Sequence, residues 1–191
     1  MRLTTPRRRQ GWLRRLGSAT FNYPDVGATG GRLPDGYRHL HRDVRVGRGR
    51  AAFERAGEGL LTWDLHRRTG LHVDTVGPRV VPGQDVLLTL GPAGYGVTVP
   101  CRVIAVTDES DRRGFVYGSL PGHVEAGEAG FEVRHEVDGD VRFRLVAFAR
   151  PDTLALRLAG PVGDALLSLV GDGYVAACRR LALGVVPPRR G

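Results

Sequence analysis

Between residues 71 and 150 apolar and polar positions alternate with a period of two. "LHVDTV", "DVLLTL", "GVTVPCRVIAV", "GFVYGSL", "GFEVRHEV" and "VRFRLVAFAR" read as six strands separated by turn residues. Upstream, "YRHLHRDVRVG" ends in the alternating Val44 and Val46 and predicts one more strand. "GRAAFERAGEGLLTWDLHRRTG" then predicts a single helix, with Phe53, Gly57, Leu60, Leu61 and Trp63 in three- and four-residue steps and Gly70 as the stop. After Pro151 the helical period returns in "PVGDALLSLVGDGYVAACRRLALG", where Val162, Leu166, Leu169, Val170, Ala177 and Leu181 form one stripe. Pro161 and Gly184 stand where helices favour them, at the start and just past the end. Gly171 and Gly173 are costly inside a helix and predict a kink or a close approach to the sheet.

The strongest turn is "EVDGDV". Its Asp138-Gly139 pair suits a tight hairpin that puts Phe131, Val133, His135 and Val137 on one face with Val141, Phe143 and Leu145. Strand, helix, six meandering strands and a long terminal helix define an α+β protein. The expected architecture is a curved antiparallel sheet of about seven strands packed on a long C-terminal helix (helix-grip, Bet v 1/START-like), an arrangement that leaves a cavity between sheet and helix. Residues 21–184 form the expected domain, after a basic, disordered arm over 1–20 and before a loose tail over 185–191.

Charge changes the picture only at the ends. Of the 191 residues 28 are basic, all arginine, against 20 acidic, for a net charge of +8. Residues 1–20 hold six of those arginines and no acid, and Arg189 and Arg190 supply two more, so the part between is neutral. A nucleic-acid-binding fold carries its basic patch on the fold surface, which argues against a specific nucleic-acid partner. In "GWLRRLG" two arginines interrupt any apolar core for an export signal. No apolar run is long enough for a membrane span. Arginine without lysine, beside 28 glycines, points to a GC-rich bacterial genome. Cys101 and Cys178 have no partner at metal or disulfide spacing and read as buried thiols of a cytoplasmic protein.

Candidate chemistry concentrates in "YGSLPGHVEAGEAGFEV", read as a loop between two strands. His123, Glu125 and Glu128 are its weak catalytic candidates, as an acid/base group facing a pocket. H-x-E-x-x-E on no helix, with no fourth ligand, makes a poor metal site, and none is expected. His135 is an imidazole on an apolar strand face and must be hydrogen-bonded or contact a ligand. Tyr117, Cys101 and Trp63 join it as candidate ligand-binding residues. Neither a Walker loop nor Gly-x-Ser-x-Gly occurs, and no cofactor is expected.

"FNYPDVGATGG", "GRGRAAFERAGEGLLTWDLHRRTGLHV", "YGSLPGHVEAGEAGFEV" and "VAFARP", in that order from Phe21 to Ala182, resemble the bacterial and plant domain-of-unknown-function family 1990 (UPF0548-like). That resemblance implies no catalytic residue. The leading expectation is a protein that binds a hydrophobic or amphipathic small molecule in the cavity. The alternatives are an enzyme of hydrolase, cyclase or isomerase type using His123 with Glu125 or Glu128, and an interaction module whose arginine arm binds polyanions.

Overall fold

The computed structural model describes residues 2–3, 6–91, 96–152 and 160–185. In chain order the elements are β1 (Arg2–Leu3), α1 (Pro6–Leu13), β2 (Arg38–Arg48), α2 (Arg50–Leu61), α3 (Asp64–Arg68), β3 (Leu71–Thr75), β4 (Asp85–Leu90), β5 (Val97–Asp108), β6 (Arg112–Ser119), β7 (Glu125–His135), β8 (Asp140–Pro151) and α4 (Gly160–Ala182). Every pairing is antiparallel, in the order β2-β8-β7-β6-β5-β4-β3, and β1 adds to β5. All seven expected strands are present, and the curved sheet grips the terminal helix as the order of periods required. Register shifts at Arg45/Gly47 in β2 and at Val103/Ala105 in β5 add local bend.

One face of the sheet meets α2, α3 and α4. Phe53, Leu60 and Trp63 interlock there with Phe115, Phe131, Phe143 and Leu145 of the sheet and with Ala177, Cys178 and Leu181 of α4. Two glycines set the helix spacing. A Cβ at Gly59 would lie 2.6 Å from Leu181, and one at Gly171 would lie 3.1 Å from Leu40, the close approach expected there. Arginines hold α4 at its C-terminus and near its middle. Near its C-terminus the Arg55 Nε and Nη2 groups donate to the Ala182 carbonyl at 3.0 and 2.5 Å, and Arg68 Nη1 donates to that of Val185 at 2.5 Å. These bonds satisfy carbonyls that a helix end leaves open. Near the middle of the helix Arg42 donates to Asp172 at 3.0 Å and to the Ser168 hydroxyl at 2.7 Å. Within the expected stripe of α4, the Val162 and Leu166 side chains lie outside the described residues.

The opposite face is covered by the N-terminal segment. Arg9 is 1% exposed and lies 2.6 Å from Asp74 of β3. Leu16 buries itself against Leu87 and Leu120, with Trp12 and Leu13 alongside. Arg102 of β5 donates to the carbonyls of Leu16 and Ala19, both at 2.7 Å, and to Asp85 at 2.6 Å. Further along, Tyr23 packs on Phe148 and Ala126. The arginines of "WLRRL" interrupt an export signal without preventing Trp12, Leu13 and Leu16 from forming an apolar stripe. Of the expected tail, 186–191 lie outside the described residues.

Three expectations are corrected. The helix predicted across 50–69 is two helices, because Trp63 takes a left-handed backbone (φ 65°) between them. A bulky side chain is a steric outlier there, and burial against Phe115, at a ring separation of 5.0 Å, holds it in place. Val137 is fully exposed in the Asp138-Gly139 turn, where Gly139 has φ 84°. The supposed loop after Tyr117 is short, since β7 already begins at Glu125.

Candidate functional site

A cavity of about 210 Å³ lies between the sheet and α4. Leu88, Val99, Cys101 and Leu145 supply apolar wall from three strands, and Val170 and Tyr174 supply it from α4. Strand alternation explains this lining, because residues two apart on each strand look into the same hollow.

Two of the four candidate ligand contacts belong to it. Tyr117 of β6 and Tyr174 of α4 both line it, and burial pushes both phenols above their ordinary range. Cys101, 1% exposed, lines the wall as a thiol, its ionisation pushed up by burial, so it is no nucleophile. His135 and Trp63 do not line the cavity. His135 packs on Phe53, with ring centroids 5.9 Å apart, near the hairpin end of β7. Trp63 is completely buried in the core between His66 and Phe115.

All three acid/base candidates border the cavity, but they take different roles. Leu120 to His123 form a tight turn, closed by the His123 amide donating to the Leu120 carbonyl at 3.0 Å, with Gly122 at φ 100°. That places His123 and Glu125 on the cavity lining. His123 Nδ1 accepts the Glu125 backbone N–H at 2.9 Å, which puts the proton of the neutral ring on Nε2. Burial pushes this imidazole down to about 4. Burial raises the Glu125 carboxyl, opposed by the Arg38 guanidinium 4.0 Å away. The pair therefore favours neutral forms, with an N–H donor on His123.

Glu128 has a different job. Its carboxylate, in a side chain 3% exposed, accepts from the Tyr23 hydroxyl at 2.9 Å, from the backbone N–H groups of Gly27 at 2.6 Å and Thr29 at 3.0 Å, and from the Thr29 hydroxyl. Those donors all come from the segment that covers the other face of the sheet. Glu128 thus fastens "GATGG" to β7 and has no acceptor capacity left for catalysis.

One residue of the interior was not legible as special. His66 on α3 is 0% exposed, and neither ring nitrogen has a hydrogen-bond partner. Trp63, Phe115, Tyr117, Phe131 and Tyr174 surround it with ring centroids 5.0 to 5.7 Å away. Burial, with the Arg67 charge, pushes its imidazole down to about 3. The available signal was the three-residue step from Trp63 to His66, masked by the charged run "HRR".

Among the described residues no three His, Cys, Asp or Glu side chains come together as metal ligands, and no helix is long and apolar enough to cross a membrane. Residues 22–177 match the family described as "Domain of unknown function (DUF1990)". The chain belongs to that family. A UPF0548 protein of Deinococcus radiodurans is 33% identical over 173 residues, covering 85% of this chain and 87% of the relative. A UPF0548 protein of Arabidopsis thaliana is 28% identical over 123 residues, covering 61% and 60%. Among solved structures, a hypothetical protein of Helicobacter pylori superposes with a TM-score of 0.59 at 10% identity, over 86% of this chain and 95% of that one. A norcoclaurine synthase mutant of Thalictrum flavum, in complex with a transition-state analogue, gives 0.54 at 12% identity, over 80% and 98%. Ara h 8.0201 gives 0.52 at 15% identity, over 78% and 99%. These likenesses establish the Bet v 1-like, helix-grip fold.

Proposed function

We propose that this DUF1990 protein binds a small, largely apolar molecule in the cavity between sheet and α4. The cavity itself carries the reading: an apolar hollow of about 210 Å³, with Tyr117 and Tyr174 inside and His123 and Glu125 on its lining. Few polar groups in an apolar hollow are what ligand sites offer. Size narrows the class. An apolar cavity of roughly 150 Å³ holds benzene, whereas drug-sized ligands occupy roughly 300 Å³ or more. The cargo is therefore one ring, a small fused ring or a short chain, and a two-chain lipid exceeds it. Native mass spectrometry of freshly purified protein tests this. A retained small molecule that Ala147→Leu, placed in the cavity wall, excludes is the expected result. A protein that stays empty and shows no thermal stabilisation by any small aromatic or short-chain probe overturns it.

A second reading has its own observation. His123 and Glu125 are both held toward neutral forms beside the cavity, and pairs displaced in this way mark proton-transfer sites. Here Glu125 is the proton carrier and His123, through Nε2–H, the donor to a developing oxyanion. Deuterium exchange from solvent into the bound molecule, fast with the unaltered protein and lost in Glu125→Gln, supports turnover. Equal exchange in both removes it.

A further inference from the structure

His66 is a polar group with nothing polar to meet. Three of its five surrounding rings, Tyr117, Phe131 and Tyr174, are also cavity wall, so the imidazole sits one ring behind the hollow. Its neighbour Trp63 repeats the pattern, with a buried indole N–H that has no partner. A buried, unmatched donor or acceptor is destabilising, and native interiors seldom tolerate three such atoms in adjacent rings. The backbone adds to the cost, because the left-handed Trp63 that turns α3 inward is itself strained. Two separate penalties therefore converge on the same spot beside the cavity. Neither stabilises the empty protein.

The chemistry of the unmatched atoms specifies what would match them. A neutral imidazole offers one donor and one acceptor, and an indole N–H offers one donor. A hydroxyl both donates and accepts. One hydroxyl can donate to a His66 nitrogen and accept from Trp63 Nε1, whose rings have centroids 5.2 Å apart. A carboxylate cannot donate, and its charge has no compensating cation among these rings. An aliphatic group leaves all three atoms unmatched. The flat rings of Tyr117, Phe131 and Tyr174 favour an aromatic body in offset or edge-on contact. Tyr174 stands on α4, between the hollow and His66, and must swing aside for the hydroxyl to pass.

We propose that the cavity selects a small aromatic alcohol, a phenol, whose hydroxyl is read by His66 and Trp63. This rests on the cavity being a binding site, and the test separates the two ideas. Para-cresol and para-xylene differ by one hydroxyl in place of a methyl group. Titrated into the ¹⁵N-labelled full chain, para-cresol is expected to bind about tenfold more tightly, the effect of one or two net hydrogen bonds. It alone should move the His66 ring ¹⁵N and Trp63 indole resonances. In His66→Phe the preference should fall to about twofold or less, while His66→Gln, which keeps a donor and an acceptor, should retain most of it. If His66→Phe fails to fold, the resonances of the unaltered protein decide alone. Equal binding of the two probes with the His66 and Trp63 signals unmoved overturns the phenol assignment and leaves the cavity reading standing. No binding of either probe up to its solubility overturns both.

Discussion

Acid should weaken this protein through one side chain. His66 is completely buried, and its imidazole is pushed down from an ordinary 6.5 to about 3. In the unfolded chain the ring takes a proton below pH 6.5, whereas in the folded chain it refuses one until about pH 3. The unfolded state therefore binds more protons throughout that window, and stability falls as pH drops through it. Above pH 6.5 the contribution is complete. Between pH 8 and pH 5 the unfolded ring gains almost a full proton that the folded ring lacks. At 1.36 kcal/mol per pH unit over about 1.5 units, this removes about 2 kcal/mol, rising to about 4 kcal/mol near pH 3. No carboxylate touches the ring to offset this, and the nearby Arg67 charge adds to it. His123, half-buried, contributes a smaller loss of the same sign, so the measurement must be differential. Urea denaturation at pH 8 and pH 5, of the unaltered protein and His66→Phe, isolates the His66 share because His123 is common to both. The unaltered protein should lose about 2 kcal/mol more than the variant. Equal losses, within about 0.5 kcal/mol, would refute the reasoning.

Other predictions concern the covering segment and the hollow. Glu128→Ala leaves Tyr23, Gly27 and Thr29 as buried donors without an acceptor, so its unfolding free energy should drop by about 3 kcal/mol or more; an unchanged urea midpoint would sink the fastening role. Removal of residues 1–20 uncovers Leu87 and Leu120 and strips two acceptors from Arg102, with an expected cost of about 3 kcal/mol by the same assay. A truncated chain as stable as the parent would show the arm to be free. Ala147→Leu adds three carbons to the cavity wall and should stabilise the empty protein by about 2 kcal/mol, read as a higher melting temperature. Destabilisation instead would mean that the hollow cannot take them.

The strands were legible because their side chains alternate without interruption, and the Asp138-Gly139 turn announced its own conformation. Gly171 was legible for the same local reason: its missing side chain makes room for Leu40. The break at Trp63 was hidden, since apolar steps continue across it and the cause is packing on Phe115, far along the chain. His66 disappeared with it. On a continuous helix "HRR" reads as a solvated end, and only the turn at Trp63 rotates the imidazole inward. Glu128 looked like chemistry because acids among glycines suggest a mobile loop. Its partners at 23–29 lie about a hundred positions away, a separation no local pattern carries. Of the candidates, Cys101, Tyr117, His123 and Glu125 share the hollow because they occupy inward positions or the adjoining turn.

The unequal fastening of the terminal helix gives the hollow a direction of access. Near residues 181–185 the rod is bolted by Arg55 and Arg68 to main-chain carbonyls and wedged against Gly59, whereas near 168–172 its described polar ties are those of Arg42 to Ser168 and Asp172. The Arg42–Asp172 pair of the second stretch is exposed, where ionic contacts are weak. Among the described residues the rod is thus tied more firmly at 181–185 than beside Val170 and Tyr174, the two residues that roof the cargo space. Amide exchange should accordingly run faster at 168–172 than at 177–182, and cargo should slow the first stretch far more than the second.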